Sequence, residues 1–124
     1  MLQIYSDNIT VALNSAVNFN SYGILKGNTA VAVTPSSVQL NKKGVYMVSV
    51  DAVAEASTTL QLMKDGVLVP QALSTGTTIG FETLVQVPYD NSCSCASIPT
   101  SIQLINTGAE ATLTHVNMVV TKLC

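Results

Sequence analysis

The run Val45-Tyr46-Met47-Val48-Ser49-Val50-Asp51-Ala52-Val53-Ala54-Glu55 decides the fold class. It alternates with a period of two, the repeat of a strand rather than of a helix. Tyr46, Val48, Val50, Ala52 and Ala54 share one face, and Ser49, Asp51 and Glu55 share the other. Shorter segments repeat the pattern. Leu60 and Leu62 stand against Thr59 and Gln61; Phe81, Val85 and Val87 against Glu82 and Gln86; Ile102 and Leu104 against Ser101 and Gln103. Thr112 to Leu123 is long and mixed on both faces. Further strands are expected over Ile9 to Leu13, Phe19 to Leu25 and Thr29 to Val33, with Pro35 ending the last. Turn sequences punctuate these runs: Asn41-Lys42-Lys43-Gly44, Lys64-Asp65-Gly66, Ser74-Thr75-Gly76 and Asn106-Thr107-Gly108. Asp65-Gly66 between two apolar runs is a strong hairpin signal. The sum is an all-β, two-sheet antiparallel jelly-roll sandwich of about eight to ten strands, one domain spanning residues 1–124. Residues 1–8 are expected as a docking or edge segment.

Composition narrows the function classes. Hydrophobic residues make up 48% of the 124, charged residues 10% and aromatics 5%. Mean hydropathy is +0.41. Disorder requires the opposite balance. No run approaches the ~18 apolar residues of a membrane-spanning helix. Asp7 and Asn8 interrupt the place where an export signal would carry its apolar core. The net charge of -2 includes five lysines and no arginine, so nucleic acid is not an expected partner.

The apolar surplus falls on the wrong side of several strands. By alternation, Met47, Val53, Met63, Ile105 and Val119 face outward. A sandwich in water carries polar residues there. Several apolar ones on one small domain point to a partner surface, and symmetric self-assembly is the commonest way to cover it. These five residues and His115 are the expected oligomer interface.

Two motifs carry a family resemblance. Gly44-Val45-Tyr46-Met47-Val48-Ser49-Val50 resembles the G-x-Y-x-x-S strand of the globular heads in the complement-one-q and tumour-necrosis-factor superfamily. Leu60-Gln61-Leu62-Met63-Lys64-Asp65-Gly66-Val67-Leu68-Val69 resembles the following hairpin. Ser101 to Asn106 and Leu113 to Leu123 fall where that fold places its last strands, so the similarity spans residues 38 to 123. The resemblance implies a ten-stranded jelly roll, a compact homotrimer, and a binding or structural role without catalysis. The chain departs from the animal members in its thin aromatic pattern. Asn91-Ser92-Cys93-Ser94-Cys95-Ala96-Ser97-Ile98-Pro99 also replaces their Gly-Asp before the penultimate strand. Residues 1–124 contain no collagen-like repeat. In this it resembles the bacterial and bacteriophage versions, which sit on spore coats, capsids and fibres.

Catalytic motifs are scarce. His115 is the single histidine, and no G-x-S-x-G elbow accompanies it. It reads either as a base or metal ligand, or as a strand histidine bonded to a neighbour or lining a trimer axis. Cys93, Cys95 and Cys124 with His115 compose a conceivable zinc set, though without C-x2-C spacing. The alternatives are thiols buried as small hydrophobes, or a bridge from Cys124 to Cys93 or Cys95 within or between subunits. Asp51 and Glu55 lie about 13 Å apart along an extended strand, too far for a carboxylate pair. No nucleotide-binding loop and no calcium loop is present. No cofactor is expected. Tyr89, Asp90 and Asn91 form the expected ligand or partner contact, with Tyr89 the aromatic expected in the open.

The functional expectation is a non-enzymatic trimeric structural protein of a virion: a bacteriophage capsid decoration, head-fibre or tail component that docks on a larger assembly. The alternatives are a receptor-binding or lectin-like head for surface glycans, and a protein of the bacterial cell or spore surface.

Overall fold

The structure, a computed structural model, describes residues 1–25, 30–87 and 100–123. Its strands are β1 (Leu2–Val11), β2 (Ser15–Ala16), β3 (Ser21–Leu25), β4 (Ala30–Thr34), β5 (Ser37–Leu40), β6 (Gly44–Lys64), β7 (Val67–Val87), β8 (Thr100–Asn106) and β9 (Ala111–Lys122). The described residues contain no helix, and every strand pairing is antiparallel.

The 21-residue β6 organises the sandwich. It pairs with β7 along one side for nearly its whole length. On its other side Tyr46–Ala54 pairs with β9, and Leu60–Lys64 pairs with β8. One strand therefore runs through two layers. Layer I is ordered β3-β1-β9-β6-β7, and layer II is ordered β4-β5-β8-β6-β7, with β2 also on β8. The alternation that selected strands also assigns their inner faces. Tyr46, Val48, Val50, Ala52, Ala54, Leu60 and Leu62 are all buried, and Ile102, Leu104, Val116, Met118 and Val120 meet them in one core. This is the expected jelly-roll sandwich.

Local chemistry sets the corners. Asp65 and Gly66 both have positive φ, 50° and 82°, which makes the two-residue turn matching strand twist. The turn is tied to β8: the Asp65 amide donates to the Ser101 carbonyl at 2.8 Å, and the Ser101 amide donates to Asp65 Oδ1 at 2.9 Å. At the opposite end Asn106 is buried and fully bonded. Its Nδ2 donates to the carbonyls of Val11 (2.9 Å) and Ala109 (3.0 Å). Its Oδ1 accepts from the Gly108 amide at 3.0 Å, and the Thr58 hydroxyl lies 2.7 Å away. Gly108 is required there, because a Cβ would stand 2.6 Å from the Thr59 nitrogen.

Three expectations are corrected. Residues 1–8 are no edge: β1 lies between β3 and β9, with Leu2, Ile4 and Ser6 buried. Ser6 Oγ donates to the Asn18 carbonyl and accepts the Asn20 amide, which fixes the chain entering β3. Ser74-Thr75-Gly76 is no turn, because β7 continues through it. The hairpin has register shifts between Val53 and Thr58 and between Gln61 and Met63. The first inserts three extra residues in β6 and the second inserts three in β7, so the ribbon bends over the sandwich and closes in register. Gln61, expected on an outward face, is buried and donates from Nε2 to the Val69 carbonyl at 2.9 Å.

The mixed faces of β9 also resolve. Val53 pairs with His115 but Ala54 pairs with Leu113, leaving Thr114 as an extra residue. Inward positions therefore change phase, from Ala111 and Leu113 to Val116, Met118 and Val120. On β1, Asn8 sits opposite in the left-handed region at φ 54° and shifts the phase there too.

Candidate functional site

The outer face of layer I is built from alternate residues of β1, β9, β6 and β7. Cross-strand pairing aligns them in rows. Thr121, Met47 and Leu84 form one row; Gln3, Val119, Ser49 and Glu82 form the next. Beyond these come Tyr5, Asn117 and Asp51, and then Asp7, His115, Val53 and Thr78. Val53 is 47% exposed and Leu84 is 61% exposed, while Met47 and Val119 are half-buried. Gln3 Nε2 donates to Asn117 Oδ1 at 3.0 Å, so the polar members of the middle rows are partly satisfied within the face.

His115 closes the last row. Its Nδ1 lies 2.8 Å from Asp7 Oδ1, and both side chains are about half exposed (49% and 59%). The pair is the strand histidine bonded to a neighbour that the sequence allowed. Among the described residues, no group of three His, Cys, Asp or Glu side chains is placed to hold a metal ion. Cys93, Cys95 and Cys124 lie outside the described residues, as do Tyr89, Asp90 and Asn91.

The six residues expected at an oligomer interface are not one patch. Met47, Val53, His115 and Val119 share the outer face of layer I. Met63 belongs to layer II, where it pairs with Leu68 and Gln103. Ile105 is corrected: it is only 6% exposed in the single chain, beside the buried Gln61, and has no surface to offer a second copy. Layer II's outward positions are thus partly covered by the chain itself.

Other apolar side chains in the open were not singled out by sequence. Leu84 stands with Glu82 and Gln86 in the same alternation that turned Phe81, Val85 and Val87 inward, so the pattern contained it. Tyr22 and Ile24 on β3, and Val31 and Val33 on β4, are exposed because those strands are the outermost of their layers. Nothing in a linear pattern reveals which strand ends a sheet. Val67, Leu68 and Leu73 are exposed on β7, which borders both layers on the other side.

Tyr46 illustrates the inner side of the same wall. Burial pushes its phenol above the usual tyrosine value of 10.0, and its hydroxyl donates to the Lys42 carbonyl at 2.7 Å. Among the described residues no helix is long and apolar enough to cross a membrane.

No family model matches the sequence, and no curated protein matches it. Solved structures do match the fold. The chain is similar to the globular domain of zebrafish complement 1qA protein at 10% identity and a TM-score of 0.66, over 95% of this chain and 94% of that one. It is similar to murine APRIL at 12% identity and a TM-score of 0.63, over 98% of both chains. Rabbit GITRL gives 14% identity and a TM-score of 0.52, over 77% of both chains. These are jelly-roll proteins of the tumour-necrosis-factor and complement-one-q type, so the fold implied by the Gly44–Val50 strand and the Asp65-Gly66 hairpin is the fold observed. The likeness extends past residues 38 to 123 to nearly the whole chain.

Proposed function

We propose that this chain is a non-enzymatic, homotrimeric structural protein of a virion, a bacteriophage capsid decoration, head-fibre or tail component. One observation carries the assembly: apolar side chains stand exposed on separate parts of the sandwich. Leu84 and Val53 lie on the outer face of layer I, and Val33, Ile24 and Tyr22 lie on the β3 and β4 border. Two unlike patches on one subunit favour a heterologous contact, the kind that closes a ring around a rotation axis. A trimer is the ring that the family resemblance implies. The structural role is supported by a composition with little charge and by a described surface whose one histidine is occupied with Asp7. The virion rests on the resemblance to phage and bacterial versions of this head.

The test is the mass in solution at high salt. A trimer is expected, and Leu84→Asp should reduce it to a monomer that remains folded. A wild-type monomer at micromolar concentration would sink the assembly. Purified particles that contain the chain in multiples of three would support the virion role, and particles without it would reject that role.

Tyr22 favours a second reading. It is 50% exposed and follows the exposed Asn20 by two residues, an aromatic ring and an amide of the kinds that sugar recognition uses. A glycan-binding head predicts saturable binding to a surface polysaccharide that Tyr22→Ala abolishes; a polysaccharide screen with no hits rejects it.

A further inference from the structure

The strand pairings sort the charges of the chain by end. At the end where β6 begins, Lys42 and Lys43 precede Gly44, and Lys122 pairs with Tyr46. Lys64 reaches the same end, where its Nζ donates to the Gln86 carbonyl at 2.9 Å, Gln86 being the partner of Val45. Asp65 is the carboxylate at this end among the described residues, and its Oδ1 accepts the Ser101 amide. The other end is acidic. Glu110 precedes the Ala111–Val11 pair, Glu55 follows the Ala54–Leu113 pair, and Asp7 and Asp51 lie in the two rows before it. Glu82 sits in the middle of layer I, across from Ser49. Lys26 and Asp90 lie outside the described residues.

From Gly44 to Ala54 is ten strand residues, about 33 Å. That exceeds the Debye length of about 8 Å at physiological salt, so the two ends do not neutralise each other. The net charge of -2 conceals a basic pole and an acidic pole. A polyanion would meet lysines at one end and carboxylates over the rest of the long axis. A second copy of this chain meets neither conflict, because its acidic end is complementary to the basic one.

We infer that copies of this protein dock end to end, the Lys42–Lys43 end of one against the Glu55–Glu110 end of the next. This contact is heterologous and does not close on itself, so it propagates along the strand axis as a filament. It uses the ends of the sandwich, whereas the proposed trimer uses its face and borders. The two contacts are independent.

Sedimentation velocity on the full chain separates them. At about 1 M salt, where the Debye length is about 3 Å, the end contact should be screened and the basal oligomer alone remain. At about 0.01 M, where it is about 30 Å, the weight-average mass should rise at least about twofold and grow with protein concentration. Lys42→Glu/Lys43→Glu removes the positive excess of the basic end, and Glu55→Lys/Glu110→Lys sets two lysines against Asp7 and Asp51 at the acidic end. Each variant alone should lose the low-salt growth while keeping the high-salt mass, and an equimolar mixture of the two should form pairs at low salt, the intact acidic end of the first against the intact basic end of the second. An unchanged wild-type mass across the salt range overturns the inference. So does growth that is lost only in the lysine variant, which would mean that the basic end meets something other than the acidic one. A change in the high-salt mass speaks to the trimer and leaves the end contact to be read from the low-salt arm.

Discussion

Leu84 and Ile105 both point out of the sandwich by strand alternation, yet one is 61% exposed and the other 6%. They sit on different layers. On layer I the outward row of Thr121, Met47 and Leu84 consists of plain cross-strand partners with regular register. On layer II, Ile105 pairs with Gln61, next to the place where β7 inserts three extra residues, and β2 adds a short strand at Ala16. Facing outward is a property of the strand; exposure is a property of what the irregular segments cover. The row that is regular is the row left exposed at Leu84.

The covered side depends on its clamp. Asn106, adjacent to Ile105, satisfies groups on β1, β6 and the turn into β9 with one side chain. Asn106→Ala leaves several of those buried donors and acceptors without partners, each costing about 1–3 kcal/mol. A loss of at least about 3 kcal/mol in denaturant unfolding is expected. A loss below about 1 kcal/mol would mean that layer II holds its cover without this node.

The next test breaks the comparison directly. Ile105→Ala removes a buried aliphatic side chain and should cost about 2–4 kcal/mol of folding stability, independent of protein concentration. Leu84→Ala should leave the folding of the single chain within about 0.5 kcal/mol. Its effect should appear only as a concentration-dependent loss of the oligomer. If both variants behave alike, the two faces do not differ in the way their exposures indicate.

The hairpin at Asp65-Gly66 was readable from sequence because a two-residue turn with positive φ demands those residue types. So were the inner faces of β6, where ten residues run without interruption. The phase of β9 was not, because Thr114 enters as a bulge whose only sign is a pattern that stops alternating. The central position of β1 was invisible for a different reason. Its neighbours, β3 and β9, come from 20 and more than 100 residues away in the chain, and sequence pattern carries no information about such pairings. The same limit hid the cover over Ile105 and the sorting of lysines to one end. Of the candidate site residues, Met47, Val53 and Val119 face outward as alternation required, and His115 stands on the same face. Tyr89, Asp90, Asn91 and the cysteines lie outside the described residues.

The smallest effect sharpens the contrast between the two sides of layer I. Tyr46 precedes Met47 on β6, and its ring is buried where the Met47 side chain is half in the open. Burial holds the Tyr46 phenol above 10.0 in the folded chain, while the unfolded chain ionises near that value. Above about pH 10 the unfolded state therefore binds fewer protons than the folded one, and stability falls as pH rises through the folded value. Below pH 10 the contribution is fully present and flat. Tyr46→Phe keeps the ring and removes the hydrogen bond to the Lys42 carbonyl, for a loss of about 1 kcal/mol near neutral pH. It also removes this tyrosine's share of the alkaline destabilisation, so the wild-type and variant unfolding curves should converge as pH climbs past 10. Every other ionisable group is common to both proteins and cancels in the difference. A gap that stays constant from pH 8 to pH 11 would show that the phenol ionises without disturbing the wall, and that the inner side of layer I is less closed than its burial indicates.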